Sequence, residues 1–240
     1  MANSYFEFKQ FTVNQQHCAM KVCTDACVFG AYAATHLKNM HDPANHILDI
    51  GSGTGLLALM MTQKTTAIID AVEFDEAAFA QAKENFNQSP WATRLHIFNA
   101  DVTSFNSPNK YDCIICNPPF FEGDLKSADN KKNAAKHDTA LTLEQLLAAI
   151  KNLLAPQGSF AVLLPWQRVD FFIKLATSAG YFLTEQVSLQ HTEAHPYFRA
   201  ILIFSHNQGV ATIKSLAIKI AAGNYTDKFT ALLKDYYLNL

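Results

Sequence analysis

From about residue 46 onward, short strand-like segments alternate with helix-like segments, and this alternation strongly constrains the fold of the chain. The strand HILDI is followed by the helix LLALMMTQK, and the strand AIIDAVEF is followed by the helix DEAAFAQAKENFNQ. The downstream segments are LHIFNAD and YDCIIC as strands, TLEQLLAAIKNLL as a helix, GSFAVLLP as a strand, WQRVDFFIKLATSA as a helix, and YFLTEQVSL with FRAILIFS as a closing strand pair. This pattern predicts an α/β fold with a mostly parallel sheet covered by helices on both faces.

Start and stop signals bracket the segment TLEQLLAAIKNLL. Thr142 and Gln145 have the spacing of a capping box, in which each side chain bonds the backbone amide of the other residue. Pro156 and Gly158 follow the segment and are expected to end the helix. The apolar residues between these signals recur at helical spacing, which predicts a helix with one face buried.

A chain of 240 residues, of which 49% are hydrophobic, can bury one sizeable core. We predict a single domain over residues 1–240, with an N-terminal extension of strand and helix (1–45), a central core (46–205) and a C-terminal strand and helix (206–240). No apolar run approaches the roughly 20 residues that a membrane span requires, and MANSYFEFKQF does not resemble a signal peptide. We therefore expect a cytoplasmic protein that does not enter a membrane.

The five cysteines are expected to be reduced thiols, because a chain of this size does not need disulfides to stabilise its fold. Cys113 and Cys116 have zinc-like spacing, but positions i and i+3 of a strand point to opposite faces of the sheet. His191 and His195 have no third ligand at metal spacing. The sequence therefore predicts no metal site.

Ligand-binding residues follow the first three strands of the central core. Gly51, Gly53 and Gly55 form a turn that lets backbone amides approach a ligand closely ahead of a helix. The turn is shorter than the G-x-G-x-x-G of dinucleotide binders and lacks a P-loop lysine. Glu73, after the second strand, can accept hydrogen bonds from ribose hydroxyls, and Asp101, after the third, can accept one from an adenine amino group. The alternative for each acid is capping of the following turn.

ILDIGSGTG, Glu73 and Asp101 together resemble the class I S-adenosylmethionine-dependent methyltransferases, over about residues 20 to 205. The resemblance implies a Rossmann-like, mostly parallel seven-stranded sheet whose last hairpin is antiparallel. It also implies that S-adenosylmethionine is the cofactor and S-adenosylhomocysteine the product. The resemblance adds the neighbours of these motifs to the cofactor site, namely Asp49, Phe74 and Val102.

The strand YDCIIC ends in Asn117-Pro118-Pro119-Phe120, where this fold brings a methyl acceptor to the cofactor. The Asn117 side-chain oxygen and the Pro118 carbonyl can accept the two N–H groups of a planar amine, which directs its lone pair toward the methyl group. Phe120 can stack on an extruded base, and Pro119 belongs to the same motif. The alternative is a turn that merely ends the strand. The motif resembles that of methyltransferases acting on planar conjugated amines, and it leaves open adenine N6, guanine N2 and the side-chain amide of glutamine.

The segment FKQFTVNQQHCAMKVCTDACVFGAYA, residues 8–33, resembles the N-terminal signature of the bacterial tRNA1(Val) N6-adenine methyltransferases. HDTALTLEQLL, YFRAILIF and the tail YTDKFTALLKDYYLNL extend the resemblance over nearly the whole chain. It implies that Lys21, Thr24 and Asp25 line the methionine end of the cofactor and that Asn117 also contacts the cofactor. Capping of the following helix is an alternative role for Asp25. Cys23 and Ala26 stand where the family pattern has glycines.

The resemblance implies methyl transfer to N6 of the adenosine 3′ of the anticodon, position 37, in tRNA1(Val), by a monomer. The alternatives are an N2-guanine rRNA methyltransferase, a glutamine N5-methyltransferase, and a non-catalytic RNA-binding or chaperone module that retains the fold. The net charge of −2 gives no general affinity for nucleic acid, so a local patch must hold the tRNA. The candidate patch consists of Lys126, Lys131, Lys132, Lys136 and His137.

Neighbouring acids dilute this patch, and a solvated surface loop is the alternative interpretation of the segment. A second group of residues that could contact bases lies at the N-terminus, where four aromatic side chains occur close together, at Tyr5, Phe6, Phe8 and Phe11. For these we predict packing in an edge strand rather than a base-stacking platform.

Overall fold

The computed structural model describes residues 3–38, 44–118 and 141–240. The strands in these ranges are β1 (Tyr5–Glu7), β2 (Thr12–Asn14), β3 (His46–Ile50), β4 (Ile68–Glu73), β5 (Leu95–Asn99), β6 (Tyr111–Cys116), β7 (Leu154–Pro165), β8 (Phe182–Gln190), β9 (Tyr197–Ser205) and β10 (Thr212–Ala217). The α-helices are α1 (Thr24–Lys38), α2 (Leu56–Thr62), α3 (Glu76–Gln88), α4 (Leu143–Leu153), α5 (Val169–Ser178) and α6 (Asp227–Leu233). Short 3-10 turns are formed by Ala92–Arg94 and Trp166–Arg168.

Eight strands form one sheet in the order β10-β8-β9-β7-β6-β3-β4-β5. β9 is antiparallel to β7 and β8, whereas the other neighbouring pairs are parallel. Strands β3 to β9 are the predicted mostly parallel seven-stranded sheet with an antiparallel last hairpin. The predicted count is one strand short, because β10 pairs with β8 and extends the sheet at its edge.

Helices cover both faces of the sheet, as the strand–helix alternation predicts. Successive residues of β3 show this arrangement: Ile47 belongs to the hydrophobic cluster that includes residues of α1, α2 and α6, whereas Leu48 belongs to the cluster that includes residues of α4 and α5. The two side chains separate because neighbouring positions in a strand point to opposite faces. Both positions are fully buried, so β3 lies at the centre of the molecule.

The capping box at the start of α4 is confirmed. The Thr142 hydroxyl accepts from the Gln145 amide at 3.1 Å, and the Gln145 side chain accepts from the Thr142 amide at 2.9 Å. The helix ends at Leu153, one residue before the end of the predicted segment, but the next strand begins earlier than predicted, because β7 starts at Leu154 rather than at Gly158. Pro156 and Gly158 therefore lie inside the strand, where Pro156 is exposed and Gly158 is the first residue of the long buried run.

The N-terminal ribbon of β1 and β2 packs against the C-terminal part of the chain. The Lys9 amide donates to the Tyr236 carbonyl at 2.8 Å. Phe8 and Phe11 stack with ring centroids 4.5 Å apart and are buried, whereas Tyr5 is exposed. The predicted packing role thus holds for Phe8 and Phe11. In the described part of the chain, no helix has the length and apolar character needed to cross a membrane.

Candidate active site

The loops that follow β3, β4 and β5 are joined by hydrogen bonds at the carboxyl edge of the sheet. The Gly51 amide donates to the Val72 carbonyl at 2.8 Å, and the Ala100 amide donates to the Glu73 carbonyl at 3.1 Å. The Asn99 side-chain amide also donates to the Glu73 carbonyl, at 2.9 Å. The glycine turn and the acidic positions predicted from the sequence are therefore brought together at the edge where parallel sheets bind ligands.

The glycines of the turn after β3 differ in what surrounds them. Gly53 has φ +55°, and a Cβ added there would meet no atom within 4 Å, so this glycine borders open space; the same holds for Gly51. Gly55 has φ +79°, and a Cβ there would lie 2.5 Å from the Phe86 ring of α3. Gly51 and Gly53 are thus suited to close approach of a ligand, whereas Gly55 is needed for close packing of the turn on α3.

Glu73 connects the glycine turn to the start of α3. Its Oε2 accepts from the Gly53 amide at 2.8 Å, and its Oε1 accepts from the Asp75 amide at 2.9 Å. The turn-capping alternative considered for Glu73 is therefore present in the structure. It does not exclude ligand binding, because an ionised carboxylate offers about four acceptor positions and these two bonds occupy half of them.

Asp101 caps the turn after β5. Its Oδ1 accepts from the Thr103 amide and from the Thr103 hydroxyl, both at 2.8 Å, and no described residue is hydrogen-bonded to its Oδ2. Next to this turn, Val102 is buried in the core, while Phe74 after β4 has 63% of its surface exposed. Asp101 therefore keeps acceptor capacity, and Phe74 offers an uncovered ring at the same edge.

Beneath the glycine turn lie buried polar atoms without protein partners. Asp49 is 0% exposed, and among the described residues neither of its carboxylate oxygens nor the Ser52 hydroxyl has a hydrogen-bond partner. Burial raises the pKa of Asp49 to about 7, and the negative charge of Glu73 adds to the shift. The Ala58 amide partly opposes it, although its position falls short of a hydrogen bond. Because buried polar groups are almost always paired, these atoms fit a cationic or donor-bearing ligand.

Asn117 lies beside the glycine turn. Ile50 of β3 pairs with Cys116 of β6, and Gly51 and Asn117 directly follow these two residues. Since neighbouring strands are about 4.8 Å apart, the two residues are adjacent at the edge of the sheet. Asn117 is half-buried and Pro118 is buried. This is the juxtaposition that the motif after YDCIIC predicts.

The rest of that motif and the basic patch lie outside the described residues. These positions are Pro119, Phe120, Lys126, Lys131, Lys132, Lys136 and His137. Their assigned roles therefore stay predictions from the sequence.

The segment before α1 comes close to Glu73. Burial raises the pKa of the Cys18 thiol to about 11, with the Glu73 negative charge adding to the shift and the Lys21 ammonium opposing it. Both charges must therefore be near Cys18. The Lys21 ammonium donates to the Gln15 carbonyl, and the Gln15 side chain accepts from the Val22 amide at 2.8 Å. Gln15 thus holds this segment in place, a role that the sequence did not suggest.

Asp25 is ion-paired with a residue that the sequence analysis did not identify. Its Oδ2 accepts from Nε of Arg199 at 3.1 Å, which joins the first turn of α1 to the start of β9. Helix α1 begins at Thr24, which is exposed, so Asp25 lies in the first turn rather than at the capping position. An acid in the first turn interacts favourably with the helix dipole. A basic residue that follows an aromatic pair at the start of a strand was the available signal for Arg199.

The two departures from the family glycine pattern cause no backbone strain. Cys23 precedes α1 and Ala26 is buried within it. No non-glycine residue in the described ranges has a positive φ, so neither position requires glycine conformationally.

Asn85 is a further residue that sequence reasoning missed. Its side-chain amide donates to the Thr54 carbonyl at 2.9 Å and to the Asn14 carbonyl at 2.8 Å, and its oxygen accepts from the Asn14 amide at 2.9 Å. It therefore clamps the glycine turn and the N-terminal ribbon onto α3. A polar residue on the buried face of an otherwise amphipathic helix was the signal that could have identified it.

Cys113 and Cys116 are buried in the clusters on opposite faces of the sheet, as their spacing predicts. Within residues 3–38, 44–118 and 141–240, no group of three or more His, Cys, Asp or Glu side chains could hold a metal ion.

Two other concave regions of the described chain have volumes of about 450 Å³ and about 420 Å³. The first lies between β8, β10 and the start of α6, and the second between the loop after β5 and the end of α4. Val102, which lines the second cavity, is the one predicted cofactor residue that contacts either cavity. The predicted residues thus gather at the carboxyl edge of the sheet rather than in these cavities.

Comparisons with known proteins identify related methyltransferases. The chain matches the model of the methyltransferase small domain family over residues 19–166. It resembles the fold of a predicted O-methyltransferase from Agrobacterium tumefaciens, with a TM-score of 0.66, 16% identity, and coverage of 90% of this chain and 100% of the other. At that identity, the likeness establishes the fold alone.

Two full-length relatives are much more similar in sequence. A tRNA1(Val) (adenine(37)-N6)-methyltransferase from Dyadobacter fermentans is 46% identical over 98% of both chains. A protein of the same name from Serratia proteamaculans is 40% identical over 97% of this chain and 89% of its own. The chain therefore belongs to the methyltransferase small domain family and, within it, to the tRNA1(Val) (adenine(37)-N6)-methyltransferases.

Proposed function

We propose that this protein transfers a methyl group from S-adenosylmethionine to N6 of adenosine 37 in tRNA1(Val), acting as a metal-free monomer in the cytoplasm. The position of Asn117 carries the proposal. It directly follows Cys116, whose strand partner Ile50 directly precedes Gly51. An amide oxygen at the tip of β6 thus lies beside the turn that is suited to hold the cofactor.

The residues at the strand ends fit the parts of S-adenosylmethionine. Glu73 would accept from the ribose hydroxyls, and Oδ2 of Asp101 from the adenine amino group, with Phe74 beside the ring. The Asp49 carboxylate, which has no hydrogen-bond partner among the described residues, suits the positively charged methionine end, where Asp25 and Lys21 would complete the site. When bound, the cofactor supplies a methyl group on a positively charged sulfur.

The chain's own contribution to the reaction is to orient the acceptor amine. The adenine amino group is a weak nucleophile, because its lone pair is delocalised into the ring. Acceptance of its two N–H bonds by Asn117 Oδ1 and the Pro118 carbonyl favours a pyramidal nitrogen whose lone pair is free to react. As the new N–C bond forms and the C–S bond breaks, the nitrogen becomes acidic and releases one proton to water. No strongly basic side chain is required, and fixed acceptors at Asn117 and Pro118 provide the stabilisation.

Incubation of the purified protein with labelled cofactor and total tRNA, followed by mass spectrometry of the digested nucleosides, tests the proposal. We expect N6-methyladenosine, formed on tRNA1(Val) and absent when adenosine 37 is replaced by guanosine. The same incubation with rRNA or with cell protein in place of tRNA tests the related activities, which N2-methylguanosine or methylated glutamine would identify. No methyl transfer under single-turnover conditions would favour a non-catalytic RNA-binding module.

A further inference from the structure

Two pairs of aromatic rings lie at the carboxyl edge of the sheet, on the strands beyond Asn117. Trp166 follows β7 directly and Tyr197 opens β9, and their ring centroids are 4.8 Å apart. His191, directly after β8, stacks on Phe198 with centroids 4.3 Å apart and an interplanar angle of 2°. None of these rings is fully buried. Loops at a strand edge are usually polar, so this concentration of rings requires an explanation.

The first pair is close to the proposed methyl-transfer site. Cys116 of β6 pairs with Val162 of β7, so Asn117 is level with Leu163 on the neighbouring strand. Trp166 is three residues further along, which places it up to roughly 10 Å beyond the level of Asn117 and one strand to the side. A nucleotide that neighbours the adenosine held at Asn117 could span this distance and bring its base to Trp166.

The surroundings of the pair favour an RNA ligand that is held mainly by stacking. The exposed guanidinium of Arg168 lies 4.9 Å from the centroid of the Phe171 ring, and Phe171 is 42% exposed. The exposed acids Asp170 and Glu193 lie in the same two segments, so the charge is mixed rather than strongly basic. Single-stranded RNA loops are bound by rings that stack on unpaired bases, with Arg side chains alongside them.

We propose that Trp166 and Tyr197 form a stacking platform for an RNA base that flanks the methylated adenosine. This inference rests on the proposed function. It assigns recognition of the anticodon loop to the ends of β7 and β9, in addition to the basic patch predicted from the sequence. The competing explanation is that the rings only close the end of the hydrophobic core, against which Trp166 packs.

Fluorescence can test the platform directly, because the chain contains two tryptophans, Trp91 and Trp166. Trp91→Phe keeps a ring at a position that packs edge-on against Phe11 and leaves Trp166 as the single emitter. Titration with an unmodified hairpin RNA carrying the anticodon loop of tRNA1(Val) is expected to quench Trp166 saturably. The quenching should follow the same binding curve as an independent measurement of RNA affinity.

A substitution series separates RNA binding from packing. Tyr197→Ala should weaken RNA binding by about 5- to 150-fold, the range for loss of one stacked base. It should raise KM for the RNA while leaving kcat and cofactor affinity close to wild type. Tyr197→Phe retains the ring and should bind RNA normally. Tyr5→Ala removes an exposed tyrosine from the N-terminal ribbon and serves as the matched control.

The possible failures are distinguishable. If wild type binds and methylates the hairpin, but Trp166 is not quenched and Tyr197→Ala binds it normally, the platform is overturned and the proposed function stands. If Tyr197→Ala and Tyr197→Phe lose affinity equally, stacking is not the basis of binding and the platform is again overturned. If wild type neither binds nor methylates any tRNA, both proposals fail.

Discussion

The carboxylate of Glu73 holds the backbone of the glycine turn through Gly53, whose amide donates to Oε2 at 2.8 Å. Its other oxygen accepts from the Asp75 amide at 2.9 Å, at the start of α3. One side chain at the end of β4 therefore fixes the two loops between which the cofactor is proposed to bind. Such preorganisation lowers the entropy that must be lost when a ligand orders its site.

Glu73→Gln should therefore weaken binding of S-adenosylmethionine, an effect that is measured on cofactor binding alone, in the absence of tRNA. The amide loses the negative charge and half of the acceptor capacity, so we expect a loss of about 10- to 100-fold in affinity, as for a hydrogen bond to a charged group. Isothermal titration calorimetry measures it. Glu76→Gln makes the same change at an exposed position in the first turn of α3 and should bind normally. Equal affinities for the two variants would refute the role assigned to Glu73.

Gly55→Ala should destabilise the fold rather than interfere with ligand contacts. The new Cβ would lie 2.5 Å from the Phe86 ring, in a backbone with φ +79°. We expect the free energy of unfolding to fall by about 2 to 4 kcal/mol from overlap and backbone strain. Chemical denaturation measures the loss. In the Phe86→Leu background the same change should cost less, because part of the overlap is removed; an undiminished loss would show that strain at φ alone is responsible.

Most strands and helices were predictable from the spacing of apolar residues, because turn-forming or candidate ligand-binding residues mark the ends of the strands in the parallel core. His46–Ile50 and Tyr111–Cys116 match the segments HILDI and YDCIIC, and the resemblance to the methyltransferase family is confirmed by full-length relatives. The place of β10 was not predictable, since pairing with β8 depends on tertiary contacts. The same limitation explains why the start of β7 was placed too late: Leu154 is apolar enough for either element.

The position of candidate residues was predictable where they lie at or directly after the end of a strand, and not where it depends on contacts across the fold. Gly53, Glu73 and Asn117 could be found because each occupies the end of a strand. Local signals marked Arg199 and Asn85 as unusual residues, but their contacts could not be predicted, because the partners Asp25 and Thr54 lie far away in sequence. No local pattern encodes such contacts.

Asp49 should make the stability of the ligand-free protein depend on pH. Burial raises the pKa of Asp49 from 3.8 to about 7, so between these values the folded state binds a proton that the unfolded state lacks. The free energy of unfolding that this bound proton contributes is fully present below pH 3.8. It is lost as pH rises toward 7, by an amount on the order of 2 to 4 kcal/mol. Asp49→Asn cannot ionise and should lack this decline.

Chemical denaturation across this pH range measures the difference between Asp49→Asn and wild type. Asp170→Asn, at an exposed position of α5, is the matched control and should follow the wild-type curve. A constant difference between Asp49→Asn and wild type at all pH values would show that the buried carboxylate does not titrate in this range.

Asn117→Ala should separate methyl transfer from cofactor binding. The substitution removes one of the two acceptors that are proposed to orient the amine, while Gly53, Glu73 and Asp49 remain in place. We expect kcat to fall by about 100- to 1,000-fold, the usual effect of deleting one preorganised group that acts in the transition state. Cofactor affinity, measured by calorimetry, should stay near wild type. Asn109→Ala, at an exposed loop position, controls for loss of an asparagine side chain. Parallel loss of rate and cofactor affinity in Asn117→Ala would mean that Asn117 supports the cofactor site instead of the acceptor amine.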